Sequence, residues 1–182
     1  MRVIGGSARS LKLKTPPGLH TRPTTDRIKE TLFNMIADKV PDSIFCDMFS
    51  GSGAIGIEAL SRGAKRAYFI DNRMDCIRCM EENLRFTKLF NKGEIFKKDA
   101  FMFVKDWKGK ESPTILFMDP PYGQGLEREM LNLLYESSFV TENTCIIVET
   151  SLHNPFFHKG YEGFRIIKQK KYKTNQHIFL QR

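Results

Sequence analysis

The feature that most constrains the fold of this chain is a glycine-rich turn that joins a short apolar run to a helix-like segment. Residues 47–56 follow the apolar run 44–46, and Gly51, Gly53 and Gly56 stand at G-x-G-x-x-G spacing. Glycines at these places let the turn tighten and let a ligand approach the backbone. The order of strand, glycine turn and helix therefore predicts a Rossmann-like α/β fold that binds a cofactor containing a nucleoside.

Asp47, four places before the first glycine, indicates which charge that cofactor carries. A dinucleotide would place its pyrophosphate at this turn, where the positive end of the helix holds it. Like charges about 4 Å apart at an effective dielectric constant near 20 repel by about 4 kcal/mol, so Asp47 opposes a phosphate ligand. A cationic ligand gains from the same field. We therefore expect S-adenosylmethionine, with its sulfonium and ammonium groups, rather than NAD.

Two more acids follow predicted strands and complete the expected cofactor site. Asp71 closes the run 67–70 and is placed to accept hydrogen bonds from the ribose hydroxyls. Asp99 follows a weak strand, where it either bonds the adenine amino group beside the small Ala100 or caps a helix. The alternative for the turn itself is a bare glycine turn with two capping aspartates. The predicted cofactor-binding residues are Asp47, Phe49, Ser50, Gly51, Gly53, Asp71, Asn72, Asp99 and Ala100.

The sequence Asp119, Pro120, Pro121, Tyr122 follows the buried strand 114–118 and carries the predicted chemistry. An exocyclic amino group of a base is a poor nucleophile, and acceptors around its hydrogens favour methyl transfer by stabilising the charge that nitrogen gains. Asp119 offers a carboxylate, while Pro120 lacks an N–H and leaves a backbone carbonyl without a competing donor. The two prolines hold both acceptors in place, and Tyr122 can stack on the base. The alternative is a strand that ends in a proline turn.

The charge of the chain is concentrated at its ends. The formal net charge is +8, with seven Lys or Arg against two acids in residues 1–30 and seven against one in residues 159–182. The remaining residues hold fifteen against eighteen. This distribution favours a polyanion held by the termini while chemistry occurs between them.

The N-terminal segment 1–22 is predicted to form a basic β-hairpin flap ahead of a catalytic core at 23–182, in a single domain of 182 residues. Residues 10–14 alternate and would place Lys12 and Lys14 on one face, with glycines and prolines at the turns. We expect an extended flap rather than a packed unit, the alternative being a loosely docked arm without a partner. The predicted RNA-binding residues are Arg2, Arg9, Lys12, Lys14 and Arg22.

Five predicted strands alternate with helices, and two more close the chain at 164–167 and 177–180, joined by the basic turn 168–175. This order predicts a mostly parallel sheet with an antiparallel edge and helices on both faces. The pair Cys76 and Cys79 lacks a second pair of ligands, so we expect reduced thiols and no metal site. The absence of a long apolar run predicts a soluble cytoplasmic protein with no membrane partner.

Taken together, these motifs resemble the RsmD family of 16S ribosomal RNA guanine-N2 methyltransferases. The resemblance rests on residues 2–6, 22–27, 32–34, 47–56 and 119–122. It implies a class I methyltransferase with a seven-stranded Rossmann-like sheet and S-adenosylmethionine as donor. It also implies the N2 amino group of one guanine in 16S RNA as target, met on the 30S subunit or an assembly intermediate. We expect the enzyme to act as a monomer.

Two departures from the family pattern and two rival functions accompany this interpretation. Asp71 stands where the family pattern has Glu, and a lysine lies within 171–173 where glycine is expected. One rival is a DNA amino-methyltransferase acting on adenine N6 or cytosine N4, although the chain has no room for a separate target-recognition domain. The other is an RNA-binding or assembly factor with a vestigial cofactor fold, which the intact residues 119–122 argue against.

Overall fold

The computed structural model describes residues 1–17, 26–109, 111–154 and 163–182. These residues form one seven-stranded sheet flanked by α-helices. The strands are β1 Ile44–Met48, β2 Arg66–Asp71, β3 Gly93–Lys97, β4 Ile115–Met118, β5 Cys145–Ser151, β6 Arg165–Lys171 and β7 Asn175–Gln181. The helices are α1 Asp26–Met35, α2 Ala54–Ser61, α3 Met74–Phe86, α4 Ala100–Lys105 and α5 Leu126–Glu136, with a 3-10 turn at Phe90–Lys92.

The strand order is β3-β2-β1-β4-β5-β7-β6, in which β1 to β5 run parallel. β7 runs antiparallel to both β5 and β6. This confirms the predicted mostly parallel Rossmann-like sheet with an antiparallel edge. The chain moves outward from β1 through β3 and then returns to β4 on the other side of β1. Such a reversal leaves a crevice at the carboxyl ends of β1 and β4, where open α/β sheets bind ligands.

The edge strand β6 is longer than the sequence predicts. It continues to Lys171, through the first half of the segment expected to be a basic turn, and nearly all of its side chains are exposed. A strand that buries neither face shows no apolar alternation, so its pattern is hidden in the sequence. Lysines along such an edge also discourage pairing with another chain.

Helices cover both faces of the sheet, as predicted. On one face α1 packs Leu32 and Phe33 over the strands, and the ring of Phe33 stacks on Phe45 of β1 with centroids 6.1 Å apart. On the other face Phe103 of α4 and Leu131 of α5 join a second buried cluster. These two apolar layers hold the sheet rigid and present the carboxyl ends of its strands to the crevice.

The N-terminal segment forms the predicted hairpin, with an antiparallel bridge between Arg2 and Lys12. It is not an extended flap, however, because Val3, Ala8 and Leu13 are buried in the apolar layer that contains α1, α2 and α3. Leu13 belongs to the alternating run 10–14, but Val3 and Ala8 belong to no periodic pattern, so the sequence does not reveal that the hairpin packs on the core. The hairpin is therefore part of the folded body.

A buried carboxylate holds the start of this hairpin. Glu58 of α2 accepts hydrogen bonds from the backbone N–H groups of Ile4 and Gly5 at 2.7 and 2.8 Å. The same carboxylate lies 3.2 Å from Lys29 Nζ and 2.7 Å from Arg62 Nε. Burial lowers the pKa of Lys29, opposed by the neighbouring Glu58. We call Lys29, Glu58 and Arg62 the Glu58 cluster.

Asn83 of α3 holds the other end of the hairpin. Its side chain accepts from the N–H of Lys14 at 2.9 Å and donates to the carbonyls of Lys14 and Ser52 at 3.0 Å. One amide therefore joins the hairpin to the glycine turn. Arg22 and the rest of the predicted segment 18–25 lie outside the described residues.

The four cysteines are all buried and free, in agreement with the prediction of reduced thiols. Within the described ranges, no helix has the length and apolar character needed to cross a membrane.

Candidate active site

Asp47 lies near the carboxyl end of β1 and is almost completely buried. Its Oδ2 accepts a hydrogen bond from the N–H of Gly56 at 2.9 Å. Burial raises the pKa of Asp47 to about 8, with a smaller contribution from the charge of Asp71. From the sequence alone this side chain is expected to be an ionised carboxylate, whereas in the folded protein the anion is favoured at neutral pH only when a cation lies beside it.

Phe49 and Ser50 shape the turn that follows β1. Phe49 has a left-handed backbone with φ of 64°, a conformation that is uncommon for a bulky residue and concentrates at functional sites. The Ser50 hydroxyl donates to the carbonyl of Asp47 at 2.5 Å and accepts from the N–H of Ile70 at 2.9 Å. Ser50 thus ties the turn to β2, and its hydroxyl is engaged within the protein.

The three glycines of the turn have different roles. A Cβ added at Gly51, where φ is +56°, would meet no atom within 4 Å, so this residue faces open space. A Cβ at Gly53 would come within 3.0 Å of Met80, and one at Gly56 within 2.3 Å of Phe69. Gly51 is therefore the place where a ligand can approach the backbone, while the other two let α2 pack closely on β2 and α3.

Asp71 and Asn72 lie beside Gly51 at the end of β2. Asp71 Oδ2 accepts from the N–H of Gly51 and Oδ1 accepts from the N–H of Arg73, both at 2.9 Å. Asp71 is half-buried and Asn72 is exposed. The carboxylate is thus held rigidly next to the open side of the turn, where the sequence places the ribose.

Asp99 caps α4. Its Oδ1 accepts from the backbone N–H groups of Phe101 and Met102 at 3.0 and 3.1 Å. Of the two roles that the sequence leaves open, helix capping is the one these contacts show. Ala100 is buried directly behind it.

Asp119 to Tyr122 turn away from the sheet at the end of β4. Asp119 is half-buried and Pro120 buried, whereas Pro121 and Tyr122 are exposed, Tyr122 to 45%. Burial raises the pKa of Asp119 well above its usual range, and the charges of Glu149 and Asp47 raise it further. The carboxyl group expected to contact the substrate therefore lies among other acids.

Glu149 belongs to this site although no sequence motif marks it. In the parallel pairing of β4 with β5, Met118 stands opposite Val148, and continuation of this register places Asp119 beside Glu149. In the next pair Glu149 stands opposite His177 of β7. Asp119, Glu149 and His177 therefore form a row across neighbouring strands on one face of the sheet. The sequence signal that could have revealed Glu149 is its position directly after the apolar run 145–148 of a central strand.

Hydrogen bonds within the row and from two further side chains, Asn175 and Tyr172, fix it in place. His177 Nε2 lies 2.9 Å from Glu149 Oε2, and Asn175 Nδ2 donates to Glu149 Oε1 at 2.5 Å. The Tyr172 hydroxyl lies 3.0 Å from His177 Nδ1. Burial, together with Glu149, raises the pKa of Tyr172 to about 12, so its hydroxyl keeps its proton. We call Glu149, Tyr172, Asn175 and His177 the Glu149 cluster.

The Glu149 cluster leaves one buried acceptor without a partner. Asn175 is 7% exposed, and within the part of the chain that the structure describes its Oδ1 makes no hydrogen bond. The Tyr122 hydroxyl contacts Glu149 Oε1 at 3.5 Å, near the outer limit of a hydrogen bond. Tyr122 is thereby the link between this cluster and the exposed side of the site.

A cleft of about 650 Å³ adjoins Tyr122 on the other side. Its floor includes Glu127 of α5, which is buried and accepts from Thr150 Oγ1 at 2.8 Å and from Asn154 Nδ2 at 3.2 Å. Tyr122 thus borders a groove large enough for part of a nucleotide chain.

The predicted RNA-binding cations of the hairpin fall into two groups. Arg2 pairs with Asp26 at 2.8 Å and Lys14 with Glu82 at 2.7 Å, so part of their charge is compensated. Arg9 and Lys12 are exposed, and neither makes an ion pair among residues 1–17, 26–109, 111–154 and 163–182. In the same ranges, no three His, Cys, Asp or Glu side chains are grouped to hold a metal ion.

Comparison with known proteins gives consistent results. Residues 1–181 match the family model described as Conserved hypothetical protein 95. "Ribosomal RNA small subunit methyltransferase D" of Escherichia coli K12 is 38% identical over 155 residues, which covers 85% of this chain and 76% of that protein. The protein of the same name from Haemophilus influenzae is 32% identical over 171 residues, covering 93% and 88%. The solved Escherichia coli protein yhhF superimposes with a TM-score of 0.85 at 34% identity, covering 100% and 97%.

Proposed function

Since the chain belongs to the RsmD family and has the class I methyltransferase fold, we propose that it methylates the N2 amino group of a guanine in 16S ribosomal RNA. The donor in this proposal is S-adenosylmethionine. The substrate particle is the 30S subunit or an assembly intermediate, met in the cytoplasm by a monomer of the enzyme. The observation that carries the proposal is the parallel pairing of β1 with β4, in which Met48 stands opposite Met118. Asp47 and Asp119 therefore lie at the carboxyl ends of adjacent strands, and in this proposal the amine-binding corner and the cofactor turn act as one site.

The residues around the turn fit S-adenosylmethionine. Gly51 offers backbone beside open space, and Asp71 holds a carboxylate next to it. Asp47 is a buried acid whose ionisation needs a neighbouring cation, and a sulfonium or ammonium group provides one. When bound, the donor supplies a methyl group to the amine nitrogen while the carbon–sulfur electron pair stays on sulfur. The carboxylates of Asp47 and Asp71 would repel a pyrophosphate at the same place.

In this proposal Asp119 and the Pro120 carbonyl accept hydrogen bonds from the amino group of the base. These bonds direct the lone pair of the amino nitrogen away from both acceptors. As the nitrogen gains the methyl group it must lose one proton. An ionised carboxylate whose pKa is raised is a better proton acceptor than an ordinary aspartate, and burial among acids gives Asp119 this property. Tyr122, exposed at the rim, is positioned to stack on the base.

The test uses the purified protein with labelled S-adenosylmethionine and three substrates: small subunits from a strain lacking the gene, naked 16S RNA and duplex DNA. We expect transfer to the ribosomal substrates and N2-methylguanosine as the product in mass spectrometry of the digested RNA. Preferential transfer to DNA, or a methylated adenine or cytosine, would overturn the proposal.

Asp119→Asn serves as the inactive variant in the same assay. Loss of a preorganised acceptor typically lowers kcat by about 10²- to 10³-fold. The matched control is Asp106→Asn, an exposed aspartate that pairs with Lys98 away from the crevice, and it should retain wild-type turnover. Full activity of Asp119→Asn would contradict the proposed role of Asp119. The identity of the substrate is tested separately by the product analysis.

A further inference from the structure

We propose that Glu149 is a specificity-determining residue that accepts a hydrogen bond from guanine N1–H while the neighbouring N2 amino group reacts at Asp119. Asn175 and His177 hold its carboxylate in place for this contact. The inference rests on the proposed function, because it concerns how that site distinguishes guanine from adenine and cytosine.

The position of Glu149 follows from strand pairing. Neighbouring strands lie about 4.8 Å apart, and Glu149 stands beside Asp119 in the continued register of β4 and β5. N1 is the ring position next to the carbon that bears N2. A base whose amino group lies at Asp119 and whose Watson–Crick edge follows the row therefore presents its N1 position towards Glu149.

The chemistry of the row matches guanine. An ionised carboxylate only accepts hydrogen bonds. Guanine has donors at both N1 and N2, whereas the ring nitrogen next to the amino group of adenine or cytosine is an acceptor. In those bases the ring nitrogen and a Glu149 oxygen, both acceptors, would face each other without a hydrogen atom between them. Burying two such acceptors strongly disfavours binding.

The contacts of Glu149 also define its orientation. A carboxylate requires a donor at His177 Nε2, which makes Nδ1 the acceptor for the Tyr172 hydroxyl. The amide nitrogen of Asn175 faces Glu149 for the same reason, so its oxygen faces away. This buried oxygen has no partner in the described ranges, and buried acceptors are normally satisfied. Each oxygen of Glu149 receives one close donor, so the carboxylate can accept a further hydrogen bond from an entering base.

Access to Glu149 is through Tyr122. Its hydroxyl covers Glu149 Oε1 with only a 3.5 Å contact, and nearly half of its side chain is exposed. Gly123 and Gly125, both with positive φ, follow it in the chain and allow the loop to rearrange. If Tyr122 moves from Glu149 onto the face of the base, the Glu149 carboxylate becomes accessible. The same movement stacks the tyrosine ring on the base.

The experiment places 2-aminopurine ribonucleoside at the target position of the RNA. This analogue keeps the 2-amino group but has an acceptor at N1 and no N1–H. The wild-type enzyme should methylate it roughly 10- to 100-fold more slowly than guanine, the range for one good base-reading contact. Equal rates for the two bases in the wild-type enzyme would overturn the inference without any variant being needed.

Glu149→Gln sharpens the measurement, because its amide can donate to N1 of the analogue. The ratio of the guanine rate to the 2-aminopurine rate should fall at least about tenfold relative to wild type. Glu142→Gln, the same substitution in the loop before β5, should keep the wild-type ratio. If Glu149→Gln slows both substrates equally, the residue is only structural and the inference fails. If the wild-type product is not N2-methylguanosine, the proposed function itself fails, so the two failures are distinguishable.

Discussion

Two buried carboxylates, Glu58 and Glu149, lie on the same side of this sheet and differ in how completely they are paired. Glu58 receives two backbone N–H groups and two cationic side chains. Glu149 receives one imidazole and one amide, with a distant tyrosine hydroxyl at its open side.

The difference separates a cluster that anchors the fold from one that we propose binds substrate. The partners of Glu58 come from the hairpin, from α1 and from the residue after α2, so docking of the hairpin completes the hydrogen bonds of this carboxylate. Among the described residues, the Glu149 cluster retains an amide oxygen without a partner, and Tyr122 contacts its carboxylate only at 3.5 Å. Buried polar groups are normally satisfied, and the exceptions concentrate at functional sites.

The largest effect that tests this comparison is on stability at the Glu58 cluster. Glu58→Gln leaves Lys29 and Arg62 without a compensating charge in a buried site, and breaking such a pair lowers the free energy of unfolding by about 3–5 kcal/mol. Urea unfolding measures it. The matched control is Glu82→Gln, which breaks the exposed pair with Lys14 and should give a change near the detection limit. Similar losses in both variants would show that the Glu58 cluster is not the hairpin's anchor.

The next largest effect is that of replacing Asp119, which should lower turnover but raise the free energy of unfolding. The pKa of Asp119 is raised in the folded protein, so its ionisation opposes folding, and wild-type stability declines as pH rises above the ordinary carboxyl range. Asp119→Asn should therefore gain stability relative to wild type as pH rises above about 4, although turnover falls. Thermal unfolding at a series of pH values measures this.

Asp106→Asn provides the control of opposite sign. Lys98 lowers the pKa of Asp106 through a hydrogen bond, so its carboxylate stabilises the fold above the ordinary carboxyl range and stops doing so as pH falls. This variant should lose stability at neutral pH and match wild type in acid. The same direction for both variants would contradict the assigned environments.

A third effect links cofactor binding to Asp47. Because burial raises its pKa to about 8, a cationic donor must bind the minor ionised form at lower pH. The affinity for S-adenosylmethionine should weaken by up to about tenfold for each pH unit below 8. Calorimetric titration from pH 6 to pH 9 measures this slope. Asp47→Asn should bind weakly with a much flatter profile, and an unchanged slope in that variant would assign the titration to another group.

The smallest expected effect is on the RNA affinity of the hairpin that the Glu58 cluster holds in place. Replacing Arg9 and Lys12 with Gln should flatten the dependence of RNA affinity on salt by roughly one unit of slope for each phosphate that the hairpin no longer neutralises. Lys14→Gln is the matched single control and should change the slope less, since Glu82 already pairs with this lysine. Filter binding across a salt series distinguishes the two. An unchanged slope in the double variant would remove the hairpin from the RNA interface.

Much of the fold could be predicted from the sequence because its signals are local. The glycine turn, the proline corner and the alternation of strands with helices each lie within a few residues of the chain. The misjudged parts had no local signal. The short alternation that contains Leu13 predicted a hairpin but not its packing, because Val3 and Ala8 belong to no pattern, and the exposed β6 gave no signal for a long strand.

The candidate site divides in the same way. Asp47 and residues 119–122 were identified from short motifs with a definite chemistry. Glu149, Asn175 and His177 were not, because Asn175 and His177 are 26 and 28 positions from Glu149 in the chain and meet it only through the antiparallel pairing of β5 with β7.

The sequence by itself therefore determined the order of the elements and the two motifs at the carboxyl ends of β1 and β4, since backbone geometry and residue type act at short range. Only the tertiary structure decided which acids are buried together, and hence that the pKa values of Asp47 and Asp119 are raised. Burial and strand pairing join residues that are distant along the chain, and a carboxylate's charge depends on these neighbours rather than on its place in a motif.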